Sequence, residues 1–265
     1  MSITGADEAA KTVRVDMDGE VAIVTLDRAA KRNAIDERTV AALGQAFANL
    51  PAAARAAVLT GAGEHFCAGL DLSELGEVNA AEALFHSRLW HRAFEDIQFG
   101  RVPVVAVLHG AVVGGGLELA ASTHIRVAEA STFFALPEGQ RGIFLGGGGT
   151  ARLPRIIGVP LITDMMLTGR TLDAAEGLRV GLAQYQVPDG QGLAKGLELA
   201  HIIARNAPMT NYAVTHALPR IADMSIEQGL LLEAMTSSIV QDAPEAKARM
   251  RAFLEGRAAK VRPPA

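Results

Sequence analysis

Apolar and polar residues alternate weakly over residues 13–17, and a β-branched run, Val21-Ala22-Ile23-Val24-Thr25-Leu26, follows an Asp18-Gly19 turn signal. Together these predict a hairpin. Asp36 stands where its side chain can cap a helix running towards Asn49, with Pro51 just beyond the end. Ala57-Val58-Leu59-Thr60 and Val104-Val105-Ala106-Val107-Leu108 are short apolar runs closed by glycine-containing turns, the pattern of strands buried on both faces. Residues 80–99 read as a long helix and residues 125–128 as a further strand. From about Thr150 the periodicity becomes helical, over 161–168, 173–179, 191–205, 209–218, 226–239 and 245–255. Asp173 and Glu176 have capping-box spacing. Strands alternating with helices predict an α/β fold with crossover connections. The expected organisation is a core domain over residues 1–200 and a helical region over 201–265.

Composition narrows the picture. The chain has 265 residues, 49% hydrophobic and 20% charged, which is globular rather than disordered. With 25 Lys+Arg against 29 Asp+Glu the net charge is −4, and aromatics are 5%. That lacks both the basic footprint and the stacking platforms of nucleic-acid binding, so no such partner is expected. The single Cys67 excludes an internal disulfide and a multi-cysteine zinc site. Residues 1–10 carry Asp7 and Glu8 and no apolar signal-peptide core. No run approaches about 18 uncharged apolar residues, so neither export nor a membrane span is expected and a cytoplasmic setting fits. His65, His86, His91 and His109 are scattered without ligand spacing, and no metal is expected.

Three segments carry candidate chemistry. In the first, Phe66-Cys67-Ala68-Gly69-Leu70-Asp71 reads as a loop entering a helix with its N–H groups available. In the second, Gly114-Gly115-Gly116 separates a buried strand from the helix start Leu117-Glu118-Leu119-Ala120. Glycine admits close approach of a ligand, and a helix N-terminus offers unpaired N–H groups and a positive dipole end, which suits an oxyanion. Glu118 in that first turn would be favoured as a carboxylate, a general-base arrangement. Tight strand-on-helix packing, with Glu118 as a surface charge, accounts for the same residues. The spacing is neither a P-loop nor a dinucleotide fingerprint. The third segment places Glu138 after Pro137, followed by Gly146-Gly147-Gly148-Gly149-Thr150. Buried, Glu138 would serve as an acid; otherwise it is a helix-start carboxylate.

In this order and spacing the segments resemble the crotonase, or enoyl-CoA hydratase, superfamily. The resemblance rests on Phe66-x-Ala68-Gly69-x-Asp71-Leu72, on Gly114-Gly115-Gly116-x-Glu118-Leu119-Ala120, and on Pro137-Glu138 followed by the glycine run, Thr150 and Leu153-Pro154-Arg155. Arg32-Asn33-Ala34 and Leu167-Thr168-Gly169 support it, and it extends from the Val21 strand to the Phe253 helix. It implies a spiral of ββα units with C-terminal helices that mediate homotrimer contacts, trimers often pairing into hexamers. It implies that the Leu70 and Gly115 N–H groups form an oxyanion hole for a thioester carbonyl. Glu118 would activate water and Glu138 would protonate the α-carbon. Ala68 and Asp71 would lie at the adenine end of coenzyme A, Arg28 and Lys31 near its phosphates, and Lys260 or Arg257 would reach a phosphate from a neighbouring subunit. Coenzyme A is then part of an acyl-CoA substrate, and no separate cofactor is implied.

The resemblance implies that the pair of glutamates favours hydration of a 2-enoyl-CoA thioester over isomerisation, since members that only isomerise usually lack one of the two. Two backbone donors aimed at the developing oxyanion contribute roughly 10²–10³ each in rate. A positioned acid or base contributes roughly 10²–10⁴. A CoA thioester hydrolase, an enoyl-CoA isomerase and a silent acyl-CoA-binding subunit are the competing readings. The sequence departs from the family at Gly139, Arg141 and Leu145, the last in place of a proline. Those changes leave room for an aromatic or methylthio-substituted acyl group, as in methylthioacryloyl-CoA. Arg141 would either pair across a subunit contact or tune Glu138.

Overall fold

The computed structural model describes residues 12–74, 76 and 79–257. It divides into two compact units, Met1–Ala204 and Arg205–Ala265.

The first unit begins with the expected hairpin: β1 (Val13–Asp18) pairs antiparallel with β2 (Val21–Leu26), in register from Val13↔Leu26 to Asp18↔Val21. α1 (Glu37–Ala48) starts at Asp36, whose Oδ1 accepts the Thr39 N–H at 2.8 Å, and buries Val40, Leu43 and Phe47 on one stripe. β3 (Ala56–Gly61) follows, then α2 (Ala80–Gln98). A capping box opens α2, with Asn79 accepting from Ala81 and Glu82 and Glu82 accepting in return. Its buried residues Trp90, Ala93, Phe94 and Ile97 fall at helical spacing. β4 (Val104–Leu108), β5 (Ala111–Val113), α3 (Gly115–Ala121), β6 (Ile125–Glu129) and β7 (Phe133–Ala135) form the middle of the unit. α4 (Gly149–Ile157), α5 (Val159–Thr168), β8 (Leu172–Asp173), α6 (Ala174–Val180), β9 (Tyr185–Val187) and α7 (Gly192–Ala204) complete it.

Six strands form one sheet in the order β1-β2-β3-β4-β6-β9, and a second sheet has the order β5-β7-β8. Pairing is parallel from β2 through β9 and between β5 and β7. All five residues of β4 are buried, as a central parallel strand requires. This is the mixed α/β architecture expected, with strand pairs and helices alternating along the chain. Four three-residue or shorter strands, β5, β7, β8 and β9, were hidden from pattern reading, because two or three residues establish no period. α4 was also missed: it opens on glycine and contains Pro154, both poor helix interiors. The 66–71 segment does not run into a regular helix. It lies extended, and one 3₁₀ turn, Leu72–Glu74, follows it.

In the second unit α8 (Pro208–Tyr212) and α9 (Leu218–Ala222) are joined by a π-helical turn, Ala213–Ala217, and precede α10 (Ile226–Asp242) and α11 (Pro244–Leu254). Ile226, Leu230, Leu231, Met235 and Ile239 of α10 stand exposed. No helix among the described residues is long and apolar enough to cross a membrane.

Phe94 is fully buried and meets Trp90 edge-on, with ring centroids 5.5 Å apart. Phe94→Ala is expected to cost about 3–5 kcal/mol of unfolding free energy, read by chemical denaturation. A loss below about 1 kcal/mol would show that α2 is not anchored through this ring.

Candidate active site

The site is assembled where the 66–71 segment is laid beside β5. Cys67 donates to Ala111 O at 3.0 Å and accepts from Val113 N–H at 3.1 Å. On its other side, Ile35 N–H donates to Gly69 O at 2.8 Å and Asp71 N–H to Ile35 O at 2.9 Å. Parallel pairing of this kind engages the residues flanking Leu70 and skips its own N–H. Gly115 is the first residue of α3, where the N–H has no partner within the helix. Neither N–H has a protein acceptor among the described residues. The two are neighbours: a β-carbon on Gly115 would lie 3.5 Å from the Leu70 nitrogen, and one on Gly69 would lie 3.4 Å from the Gly115 nitrogen. A β-carbon on Gly115 would also stand 2.7 Å from the Trp90 ring, so glycine is required for this approach.

Glu118, one turn into α3, is buried rather than a surface charge. Its Oε1 accepts the Gly147 N–H at 2.9 Å and the Gly149 N–H at 2.7 Å. Burial pushes its carboxyl up to about 7; the two N–H bonds and the Arg152 charge oppose this, and nearby Glu138 reinforces it. The dipole argument made the ionised form dominant, but α3 has only seven residues and desolvation outweighs it.

Glu138 follows β7 and Pro137 and begins the 3₁₀ turn Gly139–Arg141. It is buried, and its Oε2 has no hydrogen-bond partner. Gly114, at φ +51°, makes room for it: a β-carbon there would lie 2.3 Å from Glu138 Oε1. Burial raises the Glu138 carboxyl above its ordinary range, and the Arg141 charge pulls the other way without prevailing. Arg141 itself is exposed, and its N–H donates to Glu138 O at 3.0 Å.

Leu70, Gly115, Glu118 and Glu138 line one cavity of about 580 Å³. Sequence reading missed its second wall, made by α2: Ala83, His86, Ser87 and Trp90. Trp90 Nε1 donates to His86 Nε2 at 3.2 Å. The helical spacing of 83, 86, 87 and 90 is legible in the chain, but which stripe of α2 faces the carboxylates is not. Ile143, Phe144 and Leu145 line the cavity from the segment after Glu138.

Arg28, Lys31, Ala68 and Asp71, expected near coenzyme A, are not among the residues lining that cavity. Arg28 is engaged within the protein, pairing with Asp71 at 3.0 Å and Asp36 at 3.1 Å and donating to Ala34 O at 2.5 Å. Asp71 is held down to about 2 by Ser73 hydrogen bonds and by Arg28 and Lys31. Lys31 is exposed, 3.8 Å from Asp71. Ala68 donates its N–H to Arg32 O at 3.0 Å. Arg257 pairs with Glu255, and Lys260 lies outside the described residues. No group of three or more His, Cys, Asp or Glu side chains is arranged to hold a metal ion among the described residues.

The family model for enoyl-CoA hydratase/isomerase matches residues 16–262. The chain belongs to this family. It is 32% identical over 256 residues to enoyl-CoA hydratase EchA19 of Mycobacterium tuberculosis, covering 95% of this chain and 96% of that one. It is 32% identical over 248 residues to the short-chain-enoyl-CoA hydratase of Clostridium acetobutylicum, covering 92% and 95%. The carnitinyl-CoA dehydratase of Proteus mirabilis is 35% identical over 229 residues, covering 85% and 86%. A crystal structure of a provisionally named enoyl-CoA hydratase from Rhodopseudomonas palustris superposes with a TM-score of 0.91 at 54% identity, covering 94% of this chain and 97% of that one.

For a member of the enoyl-CoA hydratase/isomerase family with Glu118 as general base, the burial of that carboxyl predicts a rising limb in the dependence of kcat/KM on pH. Activity should rise with pH as Glu118 ionises near 7, the value to which burial carries it. Glu118→Gln should remove the rising limb and lower kcat by about 10²–10⁴-fold. A Glu118→Gln enzyme that kept the limb would show that another group titrates there.

Proposed function

We propose that the enzyme adds water across the double bond of a 2-enoyl-CoA thioester, with the buried carboxyl pair as its acid and base. The observation that carries the reading is the meeting of Glu118 and Glu138 with the unpaired N–H groups of Leu70 and Gly115 on one cavity. In this mechanism the thioester oxygen accepts from the Leu70 and Gly115 N–H groups. Glu118 takes a proton from water as the water oxygen bonds to the β-carbon. The π electrons move towards the thioester oxygen, which the two donors stabilise as it gains charge. Glu138 then delivers its proton to the α-carbon as the enolate collapses. Burial suits both roles: it puts Glu118 near neutrality, where a base is effective, and raises the Glu138 carboxyl, the direction an acid requires. The reverse sequence of the same steps is a dehydration.

Lys31, exposed and only loosely paired with Asp71 at 3.8 Å, is the side chain assigned to a coenzyme A phosphate in preference to Arg28, which Asp36 and Asp71 hold at 3.1 and 3.0 Å. In this reading Arg28 and Asp71 brace the loop that carries Leu70, and Ala68 borders the nucleotide end. The exposed apolar residues of α10 support self-association as a homotrimer or hexamer. A cytoplasmic setting is consistent with the free, buried Cys67.

The deciding assay follows the ultraviolet absorbance of a conjugated 2-enoyl-CoA thioester beside a thiol reagent. Hydration removes the absorbance without releasing free thiol. Release of coenzyme A would instead identify a thioester hydrolase, and a shifted double bond without added water an isomerase. Lys31→Ala should raise KM for the CoA thioester several-fold and leave KM for an N-acetylcysteamine thioester unchanged, since only the former carries phosphates. Equal effects on both would remove Lys31 from the phosphate site.

A further inference from the structure

The 146–149 turn that supplies both donors to Glu118 rests on a charged side chain that the mechanism above does not use. Arg152 lies on α4, half-buried. Its Nε donates to Gln98 Oε1 of α2 at 2.7 Å, and its Nη1 donates to the Gly147 carbonyl at 3.3 Å. Its own N–H donates to Gly148 O at 3.1 Å. The guanidinium is pressed against the turn: a β-carbon on Gly148 would lie 2.3 Å from Nη1. Gly147 therefore faces two ways, its N–H on the Glu118 carboxylate and its carbonyl on Arg152. A cation placed behind a peptide turn both fixes the turn and acts through it on the anion in front.

We propose that Arg152 is the positioning residue for Glu118: it holds the 146–149 turn so that two N–H groups aim at Oε1, and its charge favours the ionised carboxylate that takes the proton from water. The role rests on the hydratase reading. Charged and titratable groups approach Glu118 from several elements, and Glu37 of α1 with Glu82 and His86 of α2 line the same cavity. Glu138, after β7, disfavours its charge; the Gly147 and Gly149 N–H groups and Arg152 of α4 favour it. α2 presents the uncharged Trp90 ring to Gly147, while its Glu95 acts on Arg152 and its His91 ring lies beside Gly148. Holding Oε1 with two fixed donors leaves Oε2 as the oxygen available to water.

The test compares Arg152→Met, Arg152→Gln and Arg152→Lys in the whole enzyme. Loss of the cation should move the rising limb of kcat/KM upward by about half a pH unit or more, the lower side of the shift one nearby charge produces. Below the limb that is a loss of about threefold or more in rate. Lys restores the charge without the two-pronged geometry, so its limb should return towards wild type while kcat stays reduced. NMR of the carbon-13-labelled Glu118 carboxyl across pH reads the same shift without turnover. A folded Met or Gln variant with a wild-type limb and a wild-type carboxyl titration would overturn the proposal. So would a Lys variant displaced as far as Met, since charge would then not be the cause. A carboxyl shift in a protein that hydrates no 2-enoyl-CoA would keep the Arg152 role and discard the hydratase reading.

Discussion

A carboxylate taken out of water must be hydrogen-bonded or it neutralises, and Glu118 is the point at which this protein meets that constraint. Its two donors, the Gly147 and Gly149 N–H groups, come from a turn 29 and 31 residues further along the chain. For the bonds to exist, α3 and the start of α4 must pack together with the turn pressed on the carboxylate. The same arrangement brings Arg152 behind the turn and ties it to α2 through Gln98. One buried charge thus fixes the mutual placement of three helices, and the placement makes the cavity.

Backbone geometry supplies the second half of the site. The segment carrying Leu70 is held by strand-like bonds on both sides, to β5 through Cys67 and to Ile35 through Gly69 and Asp71. Such pairing alternates along a chain, so one N–H is left over at Leu70. At Gly115 the surplus arises differently, because a helix cannot satisfy its own first N–H groups. Two unrelated rules of secondary structure therefore deliver two unpaired donors to one place. Neither costs a side chain, and in the proposed reaction neither would need to reorganise as charge develops on the thioester oxygen.

The two carboxyls differ in their surroundings. Glu118 is buried with two donors and Glu138 is buried with an unpartnered oxygen. Burial raises both carboxyls, and the two donors support a charge on the first. Arg141 pulls Glu138 towards ionisation but is too exposed to prevail over burial.

The residue types of the chemistry were legible in the chain: two glutamates at defined places, each beside glycines that admit close approach, and strands long enough to establish a period. The hairpin, α1, α2 and β4 could be read because hydrophobic period, capping residues and turn signals agree there. Short strands such as β5 and β7 could not, since their pairing depends on partners distant in sequence. The same is true of Arg28, which reads as a free cation until folding brings Asp36 and Asp71 against it. Trp90 and Ser87 belong to a visible helical stripe, yet their facing the cavity depends on how α2 packs. The sequence by itself determined which groups are present and which local shapes they favour, because those depend on neighbours a few residues away. Tertiary structure alone decided the burial of Glu118, the leftover N–H of Leu70 and the seat of Arg152, because desolvation and hydrogen bonding depend on atoms that only folding brings together.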